Sequence, residues 1–95
     1  MEKQDVLAAL GALAQETRLD VFRLLVQAGP EGLAAGVIAE QLGVPTPTLS
    51  FHLKELRNAG IVSCRREGRS LLYAPDFGAM DALVGFLSRN CCQGA

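Results

Sequence analysis

The run from Val44 to Gly60 (Val-Pro-Thr-Pro-Thr-Leu-Ser-Phe-His-Leu-Lys-Glu-Leu-Arg-Asn-Ala-Gly) constrains this chain more than any other stretch. Leu49, Leu53 and Leu56 recur at i, i+4 and i+7, which puts them on one face of a helix. Thr48, Ser50, His52, Lys54 and Arg57 are read onto the other face, where they offer donors or positive charge. Pro47 suits a first helical turn, where its missing N–H costs nothing, and Thr46 before it is the expected N-cap. Gly60 is expected just past the end, in left-handed backbone that costs glycine little. The pattern predicts a sharply delimited helix with one apolar and one hydrogen-bonding face. Taken alone it also describes an ordinary amphipathic surface helix, so its neighbours decide its meaning.

Upstream, Val6, Leu7, Leu10, Leu13 and Ala14 fall at helical spacing within about residues 4–14. Gly11 weakens that helix by up to ~1 kcal/mol. A second helix is expected over 16–27, with Leu19, Val21, Phe22, Leu25 and Val26 inward and Arg18, Asp20 and Arg23 outward. Gly29-Pro30-Glu31-Gly32 reads as a turn. A third, short helix is expected over 34–42 with Val37, Ile38 and Leu42 inward, and Gly43 closes it. Two helices joined by a short Gly-containing turn, the second with a polar face, make a helix-turn-helix.

After Gly60 the hydrophobic period changes. Ile61–Arg66 and Ser70–Ala74 read as short strands, with Glu67-Gly68-Arg69 as the hairpin between them. Arg65, Arg66 and Arg69 cluster at and beside its tip. Such charges can merely guard a solvated strand edge. Beside a helix-turn-helix, they suit a wing that follows phosphates or enters the minor groove. Pro75 ends the second strand, and a last helix is expected over 76–90 with Met80, Leu83, Val84, Phe86 and Leu87 apolar. The predicted fold is thus mainly α with a β-hairpin, a winged helix-turn-helix filling residues 1–95 as one domain. Its first and last helices carry more apolar surface than so small a chain can cover. They are therefore expected to form a two-fold homodimer interface, the alternative being that both fold back on one core. A dimer would set two reading helices into successive major grooves of a palindrome.

The net charge of −1 over 95 residues argues against a protein that coats nucleic acid. Its distribution is more telling: residues 43–75 hold five cations against two acids, net +3, and the remainder four against eight, net −4. A local basic patch on an acidic body binds phosphate at one defined place. No apolar run approaches the ~18 residues a membrane helix needs, and no signal-peptide layout opens the chain. A cytoplasmic protein without membrane contact is expected, its three cysteines carried as thiols. Neither a Gly-rich phosphate loop nor a nucleophile–base pair is present, so no enzyme is expected and His52 is not read as a catalytic base. A module that docks on another protein is the competing reading, and it would lack salt-sensitive DNA binding.

The element order, together with Leu13-Ala14-Gln15-Glu16-Thr17-Arg18-Leu19 and the run Leu49-Ser50-Phe51-His52-Leu53-Lys54-Glu55-Leu56-Arg57-Asn58-Ala59-Gly60-Ile61-Val62, resembles the ArsR/SmtB family of bacterial metal-sensing repressors. The resemblance implies a homodimer that binds double-stranded operator DNA and releases it when a metal or metalloid binds. It marks Ser50 and His52 as operator-facing. The candidate DNA-contacting set is Thr46, Pro47, Thr48, Ser50, Phe51, His52, Lys54, Arg57, Arg65, Arg66 and Arg69. The family's Cys-x-Cys arsenic site would fall at Ala34 and Gly36, so it is absent here. A His-rich zinc site is absent too, since His52 is the chain's one histidine. Cys91-Cys92 remains and looks like the vicinal-cysteine arsenic-sensing branch. Trivalent arsenic or antimony is then the expected inducer, with no catalytic cofactor. Such an ion favours three sulfurs, and only two are evident. Cys64 from the wing, a small thiol or water, or the carbon of an organoarsenical such as methylarsenite would complete the site. A thiol redox switch is the further alternative.

Overall fold

Helical spacing and one alternating segment sort the chain into the expected order, with one strand added. The computed structural model describes residues 1–94. In order these form α1 (Lys3–Leu13), α2 (Glu16–Ala28), β1 (Leu33–Ala34), α3 (Ala35–Leu42), α4 (Thr46–Asn58), β2 (Val62–Glu67), β3 (Ser70–Pro75) and α5 (Phe77–Ser88). The strands make an antiparallel sheet in the order β1-β3-β2. β1 went unpredicted because two residues carry no period; it exists only by pairing Leu33 with Tyr73 and Ala34 with Leu72.

One apolar core joins the helices to the base of the hairpin. Val21 and Leu25 of α2, Ile38 of α3, Leu49, Leu53 and Leu56 of α4, and Ile61 are essentially inaccessible to solvent. α1 contributes Val6, Ala9 and Ala12, while α5 contributes Leu83. Four residues expected inside are not fully covered: Leu19 and Val37 are exposed, and Val26 and Leu42 are half-buried. α2 and α3 present narrower stripes to the core than their apolar content suggests, so apolar residues turned away from the stripe meet water.

The turn before β1 cannot carry another residue at Gly32. Its φ is +80°, and a Cβ there would lie 2.7 Å from the Tyr73 carbonyl oxygen. Close passage of this turn over β3 requires a residue without a side chain.

Candidate nucleic-acid interface and thiol pair

α4 is built as the spacing required, with a shifted start. Pro45, not Thr46, occupies the N-cap and makes no side-chain cap; Thr46 is already helical. The correction follows from Pro45's fixed φ of −59° and extended ψ of 142°, a geometry that ends the preceding turn without a hydroxyl cap. At the other end, Gly60 N–H donates to Arg57 O (2.9 Å) and Ile61 N–H to Leu56 O (3.3 Å). With Gly60 at φ +79° this is a Schellman closure, in which a left-handed glycine lets the chain satisfy the last carbonyls. Buried Ile61 is its apolar anchor.

The buried stripe holds Leu49, Leu53 and Leu56, and also His52. His52 is only 8% exposed, which corrects its expected place on the open face. At about 100° per residue, position 52 lies beside 49 and 56 rather than opposite them. Its Nδ1 is buried with no hydrogen-bond partner among the described residues, and its ring meets the edge of Phe51 at 5.6 Å between centroids. Thr46, Pro47, Thr48, Ser50, Phe51, Lys54 and Arg57 are exposed. α4 therefore presents small hydroxyls, one large aromatic and two cations to solvent.

The wing is a two-residue hairpin: Glu67 pairs with Ser70, leaving Gly68 and Arg69 as the loop. Gly68, at φ +63°, takes the first central position, where a left-handed residue lets the strands keep their twist. The three arginines differ in their surroundings. Arg65 donates from Nη1 to Pro30 O (3.2 Å) and from Nη2 to Glu31 O (2.7 Å), and pairs with Glu67 (3.2 Å). Its guanidinium ties the wing to the α2–β1 turn. Those two carbonyls, about 35 residues upstream, left no signal in the sequence. Arg66 and Arg69 are exposed.

Cys64 is half-buried in β2 opposite Tyr73. Burial raises the Tyr73 pKa above the usual phenol value, and the neighbouring Cys64, when ionised, adds to this; Arg57 pulls the other way. Cys64 thus has a phenol neighbour that the hairpin register could have named. No group of three or more His, Cys, Asp or Glu suited to a metal occurs among the described residues, so within one chain Cys64 does not join Cys91 and Cys92.

Those two cysteines lie just past α5 and are exposed. Their sulfurs are 3.0 Å apart. Cys91 N–H donates to Ser88 O (3.1 Å) and Gln93 N–H to Asn90 O (3.3 Å), while Asn90 and Cys92 take left-handed φ values of 62° and 67°. Such backbone is disfavoured for residues with a side chain, and here it brings the two thiols to one side. The hydrogen bond with Cys92 raises the Cys91 pKa above the usual thiol value.

α1 packs against both α4 and α5. Arg18 Nε donates to the Ala12 carbonyl (2.7 Å), tying the end of α1 to α2. Leu7 (61%), Leu10, Val84 (60%) and Leu87 on α1 and α5 remain exposed. No helix among the described residues is long and apolar enough to cross a membrane.

A model of a helix-turn-helix domain matches residues 13–65, which span α2, β1, α3 and α4. The nodulation protein NolR of Rhizobium meliloti is 34% identical over 79 residues, covering 83% of this chain and 62% of NolR. The transcriptional activator HlyU of Vibrio cholerae is 32% identical over 95 residues, covering 98% of this chain and 85% of HlyU. A solved HlyU structure superposes with a TM-score of 0.74 over 98% of this chain and all of the other. A second, of reduced HlyU, gives 0.69 at 27% identity over 95% and 92%. The homodimeric winged helix-turn-helix domain of Mb0332 from Mycobacterium bovis, a possible ArsR-family regulator, is 33% identical with a TM-score of 0.72, covering 90% of this chain and 79% of that one. These likenesses extend well beyond α4 to the wing and the flanking helices, and by them the chain belongs to the ArsR/SmtB family of winged helix-turn-helix, DNA-binding transcriptional regulators.

Proposed function

We infer that this regulator is a homodimeric repressor that leaves its operator when trivalent arsenic or antimony bonds Cys91 and Cys92. The observation that carries the reading is the thiol pair: two exposed sulfurs 3.0 Å apart on a turn next to α5. Soft thiolates select soft ions. Arsenous acid reacts with two thiols to give a dithiolate that keeps one hydroxyl on arsenic. Each thiol proton leaves with a hydroxide as water, and no electrons are transferred. In methylarsenite a carbon takes the third position, so a two-sulfur site suits an organoarsenical equally.

At the DNA, exposed Thr48 and Ser50 address base edges, while Lys54, Arg57, Arg66 and Arg69 hold phosphates. Thr46 and Pro47 lie at the N-terminal end that enters the groove first. Arg65, committed to the Pro30 and Glu31 carbonyls, holds the wing's angle instead.

The exposed apolar residues of α1 and α5 support the dimer. Mb0332, itself homodimeric, supports it too. Ligand at the end of α5 would disturb that interface, and α1 bridges α5 to α4. Moving one reading helix relative to its partner spoils both half-sites at once, and a coupling of 1–3 kcal/mol is typical of such switches.

The 3.0 Å sulfur separation favours one second reading, a thiol redox switch; HlyU has also been studied in its reduced state. Fluorescence anisotropy on a palindromic promoter duplex separates the readings. The reduced protein is bound, then arsenite, methylarsenite, antimonite and peroxide are added separately. Release by the metalloids, abolished in Cys91→Ser and Cys92→Ser with DNA affinity kept, is expected. Release by peroxide alone would transfer the site to redox sensing, and normal release in either variant would place the sensor elsewhere.

A further inference from the structure

We propose that Phe51 reads a thymine by packing its ring on the C5-methyl group in the major groove; this rests on the DNA-reading role of α4. Phe51 is 54% exposed, and nothing in the core needs it there. It lies roughly 160° round the helix from the middle of the Leu49–Leu53–Leu56 stripe, at the outward pole, in the half of α4 nearer its N-terminus. That half is where a reading helix meets base edges. Its exposed neighbours Thr48, Ser50 and Lys54 are hydrogen-bonding or charged, and beside the small ring of Pro47 on the first turn Phe51 is the large apolar side chain of the surface. In the major groove, the base feature that an apolar side chain recognises is the thymine methyl.

The ring is also held. It meets the His52 ring at 62° between planes, and His52 is itself packed into the core. A side chain braced on a buried neighbour loses little freedom when it binds, which is what a specificity contact needs. The partner is therefore a 5-methylpyrimidine at one position of each half-site.

The test removes the methyl and nothing else. Duplexes are selected from a randomised library with the reduced full chain, and the best is titrated by anisotropy with each thymine in turn replaced by deoxyuridine. One symmetric pair of replacements should weaken wild-type binding about fourfold per half-site, the loss of one buried methyl-sized group. Phe51→Ala should bind the parent duplex more weakly and be indifferent to that same replacement, whereas Phe51→Leu should keep part of the sensitivity. Because Phe51 is exposed, circular dichroism should show both variants folded. A flat deoxyuridine scan with tight wild-type binding would overturn the proposal while leaving the DNA-reading role intact. An identical scan in Phe51→Ala would do the same. Failure to select any duplex would overturn both.

Discussion

α4 and α5 are nearly equal in length, 13 and 12 residues, yet they spend their apolar side chains in opposite ways. α4 buries Leu49, Leu53, Leu56 and even His52, and shows solvent a mostly polar surface. α5 is the more apolar helix, yet only Leu83 is fully buried, and Val84 and Leu87 are left about 60% exposed. A helix that is polar outside is finished by its own chain. One that is apolar outside gains from any further surface that covers it, since burying a Leu or Val side chain is worth ~1.5–3 kcal/mol. α4 is thus anchored within its own chain, whereas α5, just before the thiol pair, keeps the apolar face proposed above to meet a second copy. Under the proposed function, a signal at Cys91 and Cys92 enters next to the helix that covers its own apolar surface least.

The contrast is broken most strongly by emptying the α4 stripe. Leu53→Ala should cost about 3 kcal/mol of stability, from lost burial plus the cavity left behind, seen as a lower urea midpoint with unchanged slope. Carrying both Val84→Glu and Leu87→Glu should do the reverse: native helical content, a monomer by sedimentation, and at most about 0.5 kcal/mol lost from the protomer's own fold, as expected of surface positions. A dimer that persists in this double variant would refute the division of labour.

A finer probe is His52. Its buried Nδ1 has no partner, and an unsatisfied buried group costs stability that an apolar replacement recovers. His52→Leu should raise stability by about 1 kcal/mol in the same unfolding assay; a large loss would mean that the ring holds α4 by a contact a leucine cannot make. The smallest effect lies at the thiols. The hydrogen bond with Cys92 holds the proton on Cys91 and raises its pKa, and only the thiolate reacts with alkylating agents. Cys92→Ala removes the bond, so the pH midpoint of Cys91 alkylation should fall and its rate at pH 8 should rise. An unchanged profile would mean that the thiols do not share a proton in solution.

Several features were legible as letters because their causes are local. Proline and glycine bracketed α4, though the cap moved one place, from Thr46 to Pro45. The 3.6-residue period found every helix, and the Gly68 turn found the hairpin. The thiol pair needed only adjacency. Two errors share one origin. Residue type alone puts His52 on the open face and Leu19 and Val37 on the closed one, whereas angular position sets His52 beside Leu49 and Leu56 and turns Leu19 and Val37 away from the residues their helices bury. β1, the hold of Arg65 on Pro30 and Glu31, and the need for glycine at 32 were beyond reach, since each depends on a partner at least 34 residues away.

The sequence by itself determined which segments are helical, where the hairpin turns, that positive charge gathers on one third of the chain and that two thiols stand side by side. These follow from backbone sterics and periodicity acting within a few residues. Tertiary structure alone decided how particular side chains are placed: that His52 is core, that Phe51 stands at the outer pole against it, that Arg65, itself exposed, is tied to the Pro30 and Glu31 carbonyls, and which apolar residues of α1 and α5 are the uncovered ones. Exposure belongs to the packed whole, because a side chain is buried only when elements distant in sequence close over it.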